Sequence, residues 1–361
     1  MISSILLFGN DTLKIGLSFD KAISILEFKV IHGEYDILCG NKYLKSIYSN
    51  ESIRIRSFSD QVIIQKEGNK YFFPKDSVKL LAKGPEAHFK IVSSGLSYNY
   101  NGHLMIRSAN DVLKLVNELS LEQYLPGVIK AEVGNLNHPE FLKSMAVISR
   151  TYAVKNSRKH EMEHFHLCNK THCQVYIGRI NEYDIKRAIN ETIGQILVDT
   201  GMQLIDAVYH SNSGGYTSPS KWVWDKEMPY LVGVNDTFSR NGNNYFWQAK
   251  INKNEWNSFL INKSIQDNEI YSNELIRKEF LDKENKIKMV DVREHFGLRS
   301  AYFKIEEKED KMMIKGKGYG HGVGLSQEGA YFMAINGHTY DDILFHYYSE
   351  VTLTNFSDVQ F

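Results

Sequence analysis

The chain lacks the features of a nucleic-acid-binding or membrane-spanning protein. Its 43 basic residues are balanced by 43 acidic residues. The chain therefore lacks the excess of positive charge that would indicate a nucleic acid or an anionic membrane surface as the partner. No apolar run reaches the roughly 18 residues that a transmembrane helix needs. The opening MISSILLFGN has one short apolar patch without a basic flank, so no secretory leader is recognisable there.

Cysteine is also scarce. Three cysteines in 361 residues are too few for a domain held together by disulfides. Cys39 stands alone, whereas Cys168 and Cys173 lie close together in a histidine-rich stretch. At roughly 150 residues per domain, the length predicts two domains, each large enough to bury a core.

Two different hydrophobic periods divide the chain. Residues 1–110 alternate apolar and polar positions in short runs, such as LKIGLSF and QVIIQKEG, which predicts a β-rich N-terminal lobe. SLEQ at Ser120–Gln123 then has the pattern of a helix capping box. We expect Pro126 to break or restart this helix, Gly134 to cap it, and a longer helix to begin near Asn137.

The fold class is therefore predicted to be α+β, with mixed helices and antiparallel strands. The segment 241–312 is polar, rich in Lys and Asn, and weakly patterned.

Glu132 is the candidate catalytic acid. It lies near a predicted helix end among Ala131, Val133 and Gly134, apolar neighbours that would favour a protonated carboxyl. A protonated carboxylic acid is what cleavage of a glycosidic bond requires. By spacing alone, a solvated or capping glutamate remains the commoner interpretation.

The segment HEMEHFHLCNKTHC is the candidate metal site. Cysteine and imidazole together suit tetrahedral zinc, while a Cys168–Cys173 disulfide or two reduced thiols are the alternatives. The same segment contains HEMEH at His160–His164, a match to the HExxH pattern of zinc peptidases if it is helical, with Glu161 as the general base. A charged, solvated helix end explains that short pattern equally well.

Two glycine-rich turns complete the candidate site. HSNSGGYT places Ser211, Ser213, Gly214 and Gly215 after a strand, where backbone amides and hydroxyls are available to a sugar. GYGHGVG places His321 among glycines that let a ligand approach the backbone. Neither turn is a phosphate-binding loop, a serine-hydrolase elbow or a dinucleotide-binding fingerprint. Ordinary packing turns are the competing interpretation of both.

These segments together resemble one known family. YLPGVIKAEV, AVISRTYAVKN, CNKTHCQVYIG, YHSNSGGYT and GYGHGVGLSQEGA occur in this order and closely resemble the stage II sporulation protein D (SpoIID/LytB) family of bacterial cell-wall proteins. The resemblance covers about residues 120–240 and 314–350. It implies a catalytic domain of residues 111–240 and 313–361 with mixed helices and antiparallel strands around a catalytic cleft. Because the segment 241–312 separates family motifs that should meet in this cleft, it is interpreted as an inserted second lobe. The resemblance further implies an exported lytic transglycosylase that cleaves peptide-stripped glycan strands of peptidoglycan to 1,6-anhydro ends.

The resemblance also implies roles for individual residues. The family's catalytic acid maps onto Glu132, and the zinc that some members carry maps onto Cys168, His172 and Cys173. His164 is the expected fourth ligand, in preference to His160 and His166. The residues expected to orient the glycan or support the acid are Arg150, Gln174, Tyr176, Tyr209, Ser211, Ser213, Gly214, Gly215, His321 and Gln327.

One departure from the family pattern bears on function. Val133–Gly134 replaces the Met-Pro that usually follows the acid. An alternative function therefore stays open, in which the chain is a wall-binding module that enhances an N-acetylmuramoyl-L-alanine amidase without cleaving glycan itself.

Overall fold

The structure is a computed structural model that describes residues 12–359, except 20, 41, 67–68, 75–77, 264–273, 283 and 285; for 69–74 it describes the backbone. The opening MISSILLFGN and part of the segment 241–312, on which expectations were placed above, lie outside the described residues. Within the described part of the chain, no helix is long and apolar enough to cross a lipid bilayer.

The N-terminal part of the chain is built from strands. They are β1 Thr12–Leu17, β2 Ile25–His32, β3 Glu34–Cys39, β4 Lys42–Tyr48, β5 Ser52–Phe58, β6 Gln61–Lys66, β7 Asn69–Pro74, β8 Val78–Ala82, β9 His88–Ser93, β10 Leu96–Asn101, β11 His103–Ala109 and β12 Val112–Ser120. The predicted β-rich start of the chain is thus confirmed.

Helices dominate the stretch that follows, with shorter strands between them. The helices are α1 Leu121–Val133, α2 Pro139–Lys155, α3 Tyr183–Glu191, α4 Ser220–Trp224, α5 Lys253–Asn262, α6 Met289–Phe296, α7 Gln327–Ile335 and α8 Tyr340–Tyr347, and Glu161–Glu163, Thr237–Asn241 and Phe356–Asp358 form 3-10 turns. The strands are β13 Leu167–Cys168, β14 Gln195–Asp199, β15 Tyr209–His210, β16 Phe246–Asn252, β17 Phe280–Asp282, β18 Ile287–Lys288, β19 Phe303–Lys308, β20 Lys311–Lys317, β21 Leu325–Ser326 and β22 Val351–Asn355. The α+β class is confirmed.

Two antiparallel sheets form the N-terminal core. One has the strand order β13-β1-β12-β11-β8-β3-β4, with β13 added in parallel, and the other has the order β10-β9-β2-β5-β6-β7. In β2, Leu26, Phe28 and Val30 are buried while Glu27 lies outside. Because successive side chains of a strand point to opposite faces, this alternation gives the sheet one apolar face.

Helix α1 confirms two local signals and contradicts a third. Ser120 and Gln123 form the predicted capping box, and the N–H of Gly134 closes the helix by donating to the Lys130 carbonyl at 3.2 Å. Pro126, however, lies inside a continuous helix, so the expected break is wrong. Burial of the α1 residues on both sides of the proline outweighs the roughly 3 kcal/mol that an interior proline costs.

The chain divides into two compact units. The first contains residues 1–135, 149–195 and 356–361, and the second contains 136–148 and 196–355. Within the second unit, the segment 241–312 and the adjoining strand β20 have a hydrophobic core that includes Trp256, Phe259, Val292, Phe303 and Ile314. The three-part domain division given above stays a prediction.

Gly127 offers a test of packing around α1. A Cβ at this position would lie 2.2 Å from the carbonyl oxygen of Gly178 and 2.7 Å from the Tyr176 ring. Although alanine favours a helix, we expect Gly127→Ala to lower the free energy of unfolding by about 1–3 kcal/mol in urea titrations, because the clash is partly with backbone.

Gly84→Ala is the matched control for this prediction. The space around Gly84 is open to 4 Å, so its substitution should change stability by no more than about 0.5 kcal/mol. Equal effects of the two substitutions would contradict the described packing.

Candidate active site and metal-binding cluster

Glu132 lies in the last turn of α1 and is partly buried. The helix around it is anchored by an apolar face in which Tyr124, Leu125, Val128 and Ile129 have no exposed surface. A carboxyl group on a rigid element keeps its orientation better than one on a loop. The candidate acid is therefore held firmly while retaining access to solvent.

Arg150 ties the start of this helix to the rest of the first unit. Its Nε and Nη2 donate to the two oxygens of Glu122 at 2.8 and 2.9 Å, and its Nη1 donates to the Gln195 carbonyl at 3.1 Å. The Arg150 side chain is 0% exposed. The expected contact between Arg150 and glycan thus receives no support, and its position fits the other expected role, support of the helix that carries the acid.

Gln174 and Tyr176 also lie inside the first unit rather than on its surface. Both are buried. Tyr176 donates to Asn117 Oδ1 at 3.2 Å, and its ring centroid lies 4.9 Å from that of Tyr124 on α1. These two predicted substrate residues are therefore in positions that support α1. Direct contact with a sugar would require the buried core to open.

Four side chains from the histidine-rich segment converge. The ligand-type atoms of His160, Cys168, His172 and Cys173 all lie within 4.8 Å of one another. Cys173 Sγ is 3.4 Å from His160 Nε2 and 3.8 Å from His172 Nδ1, which is itself 3.9 Å from Cys168 Sγ. Cys168 and Cys173 are not joined in a disulfide.

These distances fit a tetrahedral ion. Zinc–sulfur and zinc–nitrogen bonds of about 2.3 and 2.0–2.1 Å imply separations between neighbouring ligand atoms of roughly 3.3–3.8 Å. Glu163 Oε1 lies 2.6 Å from His160 Nδ1, which directs Nε2 towards the sulfur atoms. A carboxylate behind a ligating imidazole is a common outer contact of zinc sites. The residues present therefore fit a tetrahedral zinc site with two cysteine and two histidine ligands.

The fourth member of the cluster corrects the choice of His164. His164 is exposed in a left-handed conformation at the end of the 3-10 turn, and His160 takes the place that was expected for it. Since Glu161–Glu163 is a 3-10 turn rather than an α-helix, His160 and His164 do not share a helix face. The peptidase interpretation of HEMEH is therefore wrong, and His166 lies apart with Nδ1 accepting from the Lys14 N–H.

Strand pairing holds this cluster in place. β13 pairs in parallel with β1, with Gly16 opposite Cys168. The Phe165 ring covers Gly16, where a Cβ would lie 2.7 Å from ring carbons, and the same ring stacks on His160 at 4.7 Å. The glycine in LKIGLSF is thus needed for the approach of the cysteine- and histidine-bearing loop.

The two glycine-rich turns meet within the second unit. β15 pairs in parallel with β21, and a Cβ at Gly318 would lie 2.5 Å from the Asn212 carbonyl oxygen. Gly214 and Gly215 have φ values of 74° and 104°, a region that suits glycine. The predicted motifs come together through backbone contacts that side chains would prevent, as the packing interpretation expected.

A buried polar network supports these turns. Ser213 donates to Asp236 Oδ2 at 2.6 Å, and Asn212 donates to Glu328 Oε2 at 2.6 Å. Asn244 donates to Glu328 Oε1 at 2.8 Å. Sequence reasoning missed Asp236 and Asn244, which no local pattern marks. It also missed Glu328, which lies in the GYGHGVGLSQEGA segment but has partners that are distant in the chain.

His321 is held as a neutral imidazole. Its Nδ1 accepts from the Val323 N–H at 3.1 Å, so Nε2 carries the proton and donates to the Tyr209 carbonyl at 2.9 Å. Burial is the main cause that lowers the pKa of His321 to about 4, and the charges of Arg293 and Arg277 contribute to the same shift. The half-exposed Trp224 lies 5.3 Å from the His321 ring.

The remaining predicted substrate residues differ in accessibility. Tyr209 and Ser211 are partly exposed, and Ser211 Oγ accepts from Asn244 Nδ2 at 3.2 Å. Ser213 and Gln327 are buried. Tyr209, Ser211 and His321 are therefore the accessible side chains of this set.

Comparisons with known proteins show similarity to stage II sporulation proteins and to an amidase enhancer. The family model described as Stage II sporulation protein (SpoIID) matches residues 109–198. An uncharacterized protein of Brachyspira hyodysenteriae is 33% identical over 275 residues, which are 72% of this chain and 73% of that protein. Stage II sporulation protein D of Bacillus subtilis is 30% identical over 267 residues, 67% of this chain and 76% of that protein. The amidase enhancer of B. subtilis is 26% identical over 294 residues, 64% of this chain and 40% of that protein.

The Arg150–Glu122 pair is open to a direct stability test. Arg150→Met leaves the Glu122 carboxylate, 30% exposed, and the Gln195 carbonyl without the guanidinium. Because breaking a buried ion pair strands the remaining charge, we expect the free energy of unfolding in urea to fall by about 3 kcal/mol.

Arg187→Met provides the control. Arg187 pairs with Glu191, but the two side chains are 57% and 36% exposed, so the loss should stay below about 0.5 kcal/mol. A stability of Arg150→Met as high as that of the control would show that the buried pair does not anchor α1.

Proposed function

Since this chain belongs to the stage II sporulation protein D family, we propose that it is a lytic transglycosylase of the bacterial cell wall. Its substrate in this proposal is the glycan strand of peptidoglycan after removal of the peptide stems. It cleaves the bond between N-acetylmuramic acid and N-acetylglucosamine and leaves a 1,6-anhydro end. Such a substrate places the protein outside the cytoplasmic membrane, in the cell envelope.

The position of Glu132 is the observation that supports this proposal most strongly. The carboxyl lies partly exposed in the final turn of a helix whose other turns are buried and anchored. Negative charge is disfavoured near the C-terminal end of a helix, so this location suits a group that works as a neutral acid. The segment YLPGVIKAEV, which contains Glu132, is also part of the family resemblance that implies the acid role.

The proposed reaction needs one carboxyl group in two successive roles. Protonated Glu132 donates its proton to the glycosidic oxygen as the bond to the anomeric carbon breaks through an oxocarbenium-like state. The resulting carboxylate then takes the proton of the C6 hydroxyl of the same muramic acid, whose oxygen closes on the anomeric carbon. Glu132 is thereby returned to its protonated form, and no water is consumed.

Intramolecular closure explains why a second carboxylate is not required. Most glycosidases use two carboxyl groups because one must act as nucleophile or must activate water. Here the attacking hydroxyl belongs to the sugar itself, which gives it a high effective concentration. A single well-held acid is sufficient for such a reaction.

We assign sugar binding to the two joined turns of the second unit. Tyr209, Ser211 and His321 present partly exposed side chains there, and Trp224 adds an exposed aromatic face. Buried Ser213 and Gln327 and the backbone of Gly214 and Gly215 shape the turn. Sugar sites commonly combine aromatic faces with a few fixed polar groups.

We assign a structural zinc ion to His160, Cys168, His172 and Cys173. Four protein ligands fill a tetrahedral shell and leave no position for substrate, which is typical of structural sites. A bound ion would supply cross-linking of the loop that carries these residues. Burial raises the pKa of the Cys173 thiol to about 11, so metal binding would release a proton there.

A second candidate function has its own support. The similarity to a protein named amidase enhancer favours a wall-binding module that stimulates a partner amidase. Val133–Gly134 replaces the Met-Pro of the family pattern, and Gly134 caps α1 through an N–H that proline lacks. The backbone directly after Glu132 therefore differs from the family pattern, which keeps a non-catalytic module open as the alternative. An assay on stripped glycan without any amidase separates the two functions.

The role of Glu132 is tested by Glu132→Gln, which keeps the size of the side chain but removes the transferable proton. We expect cleavage of stripped glycan strands to fall by about 10²–10⁴-fold, as is typical for loss of a general acid. The measurement is the rate of release of soluble glycan fragments in the absence of amidase.

Glu182→Gln is the matched control for the acid. Glu182 forms a surface ion pair with Lys130 at 2.9 Å, and its loss should leave the rate within about twofold. Full activity of Glu132→Gln would refute the acid role. Binding to glycan without cleavage by the unmodified protein would favour the amidase-enhancing module.

The metal assignment predicts separate effects on stability and catalysis. Removal of zinc by a chelator, or Cys173→Ser, should lower the melting temperature by several degrees, because the ion cross-links the folded loop. We expect one zinc per chain by elemental analysis of the unmodified protein and much less in Cys173→Ser. Cys39→Ser, outside the cluster, is the control and should retain the metal; absence of zinc from a protein purified without chelators would contradict the assignment.

A further inference from the structure

Several cations of the second unit belong to no described ion pair. Among the described residues these include Arg277, Arg293, Arg299 and Lys317. Arg299 lies over the Tyr319 ring at 5.5 Å, and Lys317 lies over the Tyr302 ring at 5.7 Å. Arg299 and Lys317 therefore face aromatic rings.

Arg277 is the most enclosed of the four and touches the sugar-binding turn directly. Its Nη1 donates to Ser218 Oγ at 2.6 Å, and its Nη2 donates to the Ser213 carbonyl. The guanidinium lies over the Tyr302 ring, 4.6 Å from the centroid. Its Nε is buried and has no hydrogen-bond partner among the described residues.

The guanidinium still has donors to offer. A guanidinium has five N–H groups, and the two contacts above occupy two of them. The residue as a whole keeps partial exposure. Gly322 explains how it fits against the second turn, because a Cβ there would lie 2.6 Å from Arg277 Nη1.

The charge of Arg277 is not balanced by its neighbours. Burial lowers the pKa of Arg277 to about 10, and Tyr302 is the described neighbour that raises it; the side chain is thus still charged at neutral pH. His210 and His321 beside it are neutral, and their pKa values are lowered by burial and by the nearby arginines. An enclosed cation without an anion is costly, so its presence beside a candidate ligand site points to an anionic ligand.

We propose that Arg277 binds the lactyl carboxylate of a peptide-stripped N-acetylmuramic acid and so selects stripped over peptide-bearing glycan. This rests on the proposed function. While a peptide stem is attached, the lactyl carbonyl is part of a neutral amide; its removal leaves a carboxylate. The planar guanidinium fork suits that group, since arginine pairs with carboxylates through two parallel hydrogen bonds.

The test compares one glycan in two charge states. Stripped oligosaccharides carry free lactyl carboxylates, and carbodiimide coupling with ammonia converts these groups to neutral amides without changing the sugars. Equilibrium binding is measured with Glu132→Gln as the background, so that cleavage does not interfere. We expect the dissociation constant to rise about tenfold or more on amidation, consistent with loss of a charge-assisted hydrogen-bond pair.

The variants separate the fork from general charge. In the same background, Arg277→Gln should bind the acidic and amidated glycans alike, and Arg277→Lys should recover part of the preference because it keeps the charge but not the fork. Arg187→Gln removes an exposed arginine of the first unit and should keep the full preference. Circular dichroism and melting temperature report whether each variant is folded. If Arg277→Gln does not fold, the inference is tested by the binding of the two glycans to the Glu132→Gln protein and to its Arg277→Lys variant.

Two outcomes overturn the inference. Equal binding of acidic and amidated glycan by the Glu132→Gln protein would exclude carboxylate recognition. A full preference retained by Arg277→Gln would move recognition to another residue. Neither outcome depends on catalysis, since the proposed function is tested separately by the cleavage of stripped glycan to anhydro ends by the unmodified protein.

Discussion

The contact between Arg150 and Glu122 is the constraint on which the candidate active site depends. Arg150 is buried on α2, and Glu122 lies in the first turn of α1, so the pair fixes the helix whose last turn carries Glu132. Tyr124 and Tyr176 pack along the same helix, and Gly127 permits the close approach of the Gly178 backbone. A lone catalytic acid depends on its support, because no second carboxylate would compensate for a misplaced one.

Backbone proximity organises the two other parts of the molecule that matter for function. Gly16 lets Phe165 and the loop with the cysteine–histidine cluster lie against β1. In the second unit, Gly318 and Gly322 let the two turns and Arg277 pack without intervening side chains. In both places the glycines provide room for groups that come from elsewhere in the chain.

Local signals in the sequence were sufficient where the determinants were local. The capping box at Ser120–Gln123, the cap at Gly134 and the alternation of the N-terminal strands are read over a few residues, and the structure confirms them. The predicted break at Pro126 was wrong because burial of the neighbouring α1 residues outweighs the local free-energy cost of a proline inside a helix. His164 was chosen by spacing, whereas the conformation of the 3-10 turn brings His160 to the sulfur atoms.

Long-range partners were beyond the reach of those signals. Arg150 was noted as a glycan residue, but its acid partner lies 28 positions away. Asp236 lies in no motif, and Glu328 was not singled out within GYGHGVGLSQEGA; the roles of both are recognisable from their contacts with the serine- and asparagine-bearing turn. Arg277 lies in a weakly patterned segment, and nothing near it in sequence indicates that it reaches Ser213 and Ser218.

The most direct measurement of the central claim is the mass of the products released from stripped glycan. If a single Glu132 carboxyl transfers the proton and the muramic acid C6 hydroxyl closes the ring, each cleavage leaves one fragment with an anhydro muramic acid end, lighter by one water than the fragment that hydrolysis would give. Mass spectrometry of fragments made by the unmodified protein should therefore show new anhydro ends and no new reducing ends. New ends that carry a reducing sugar would show that water is the attacking group and would contradict the single-carboxyl account.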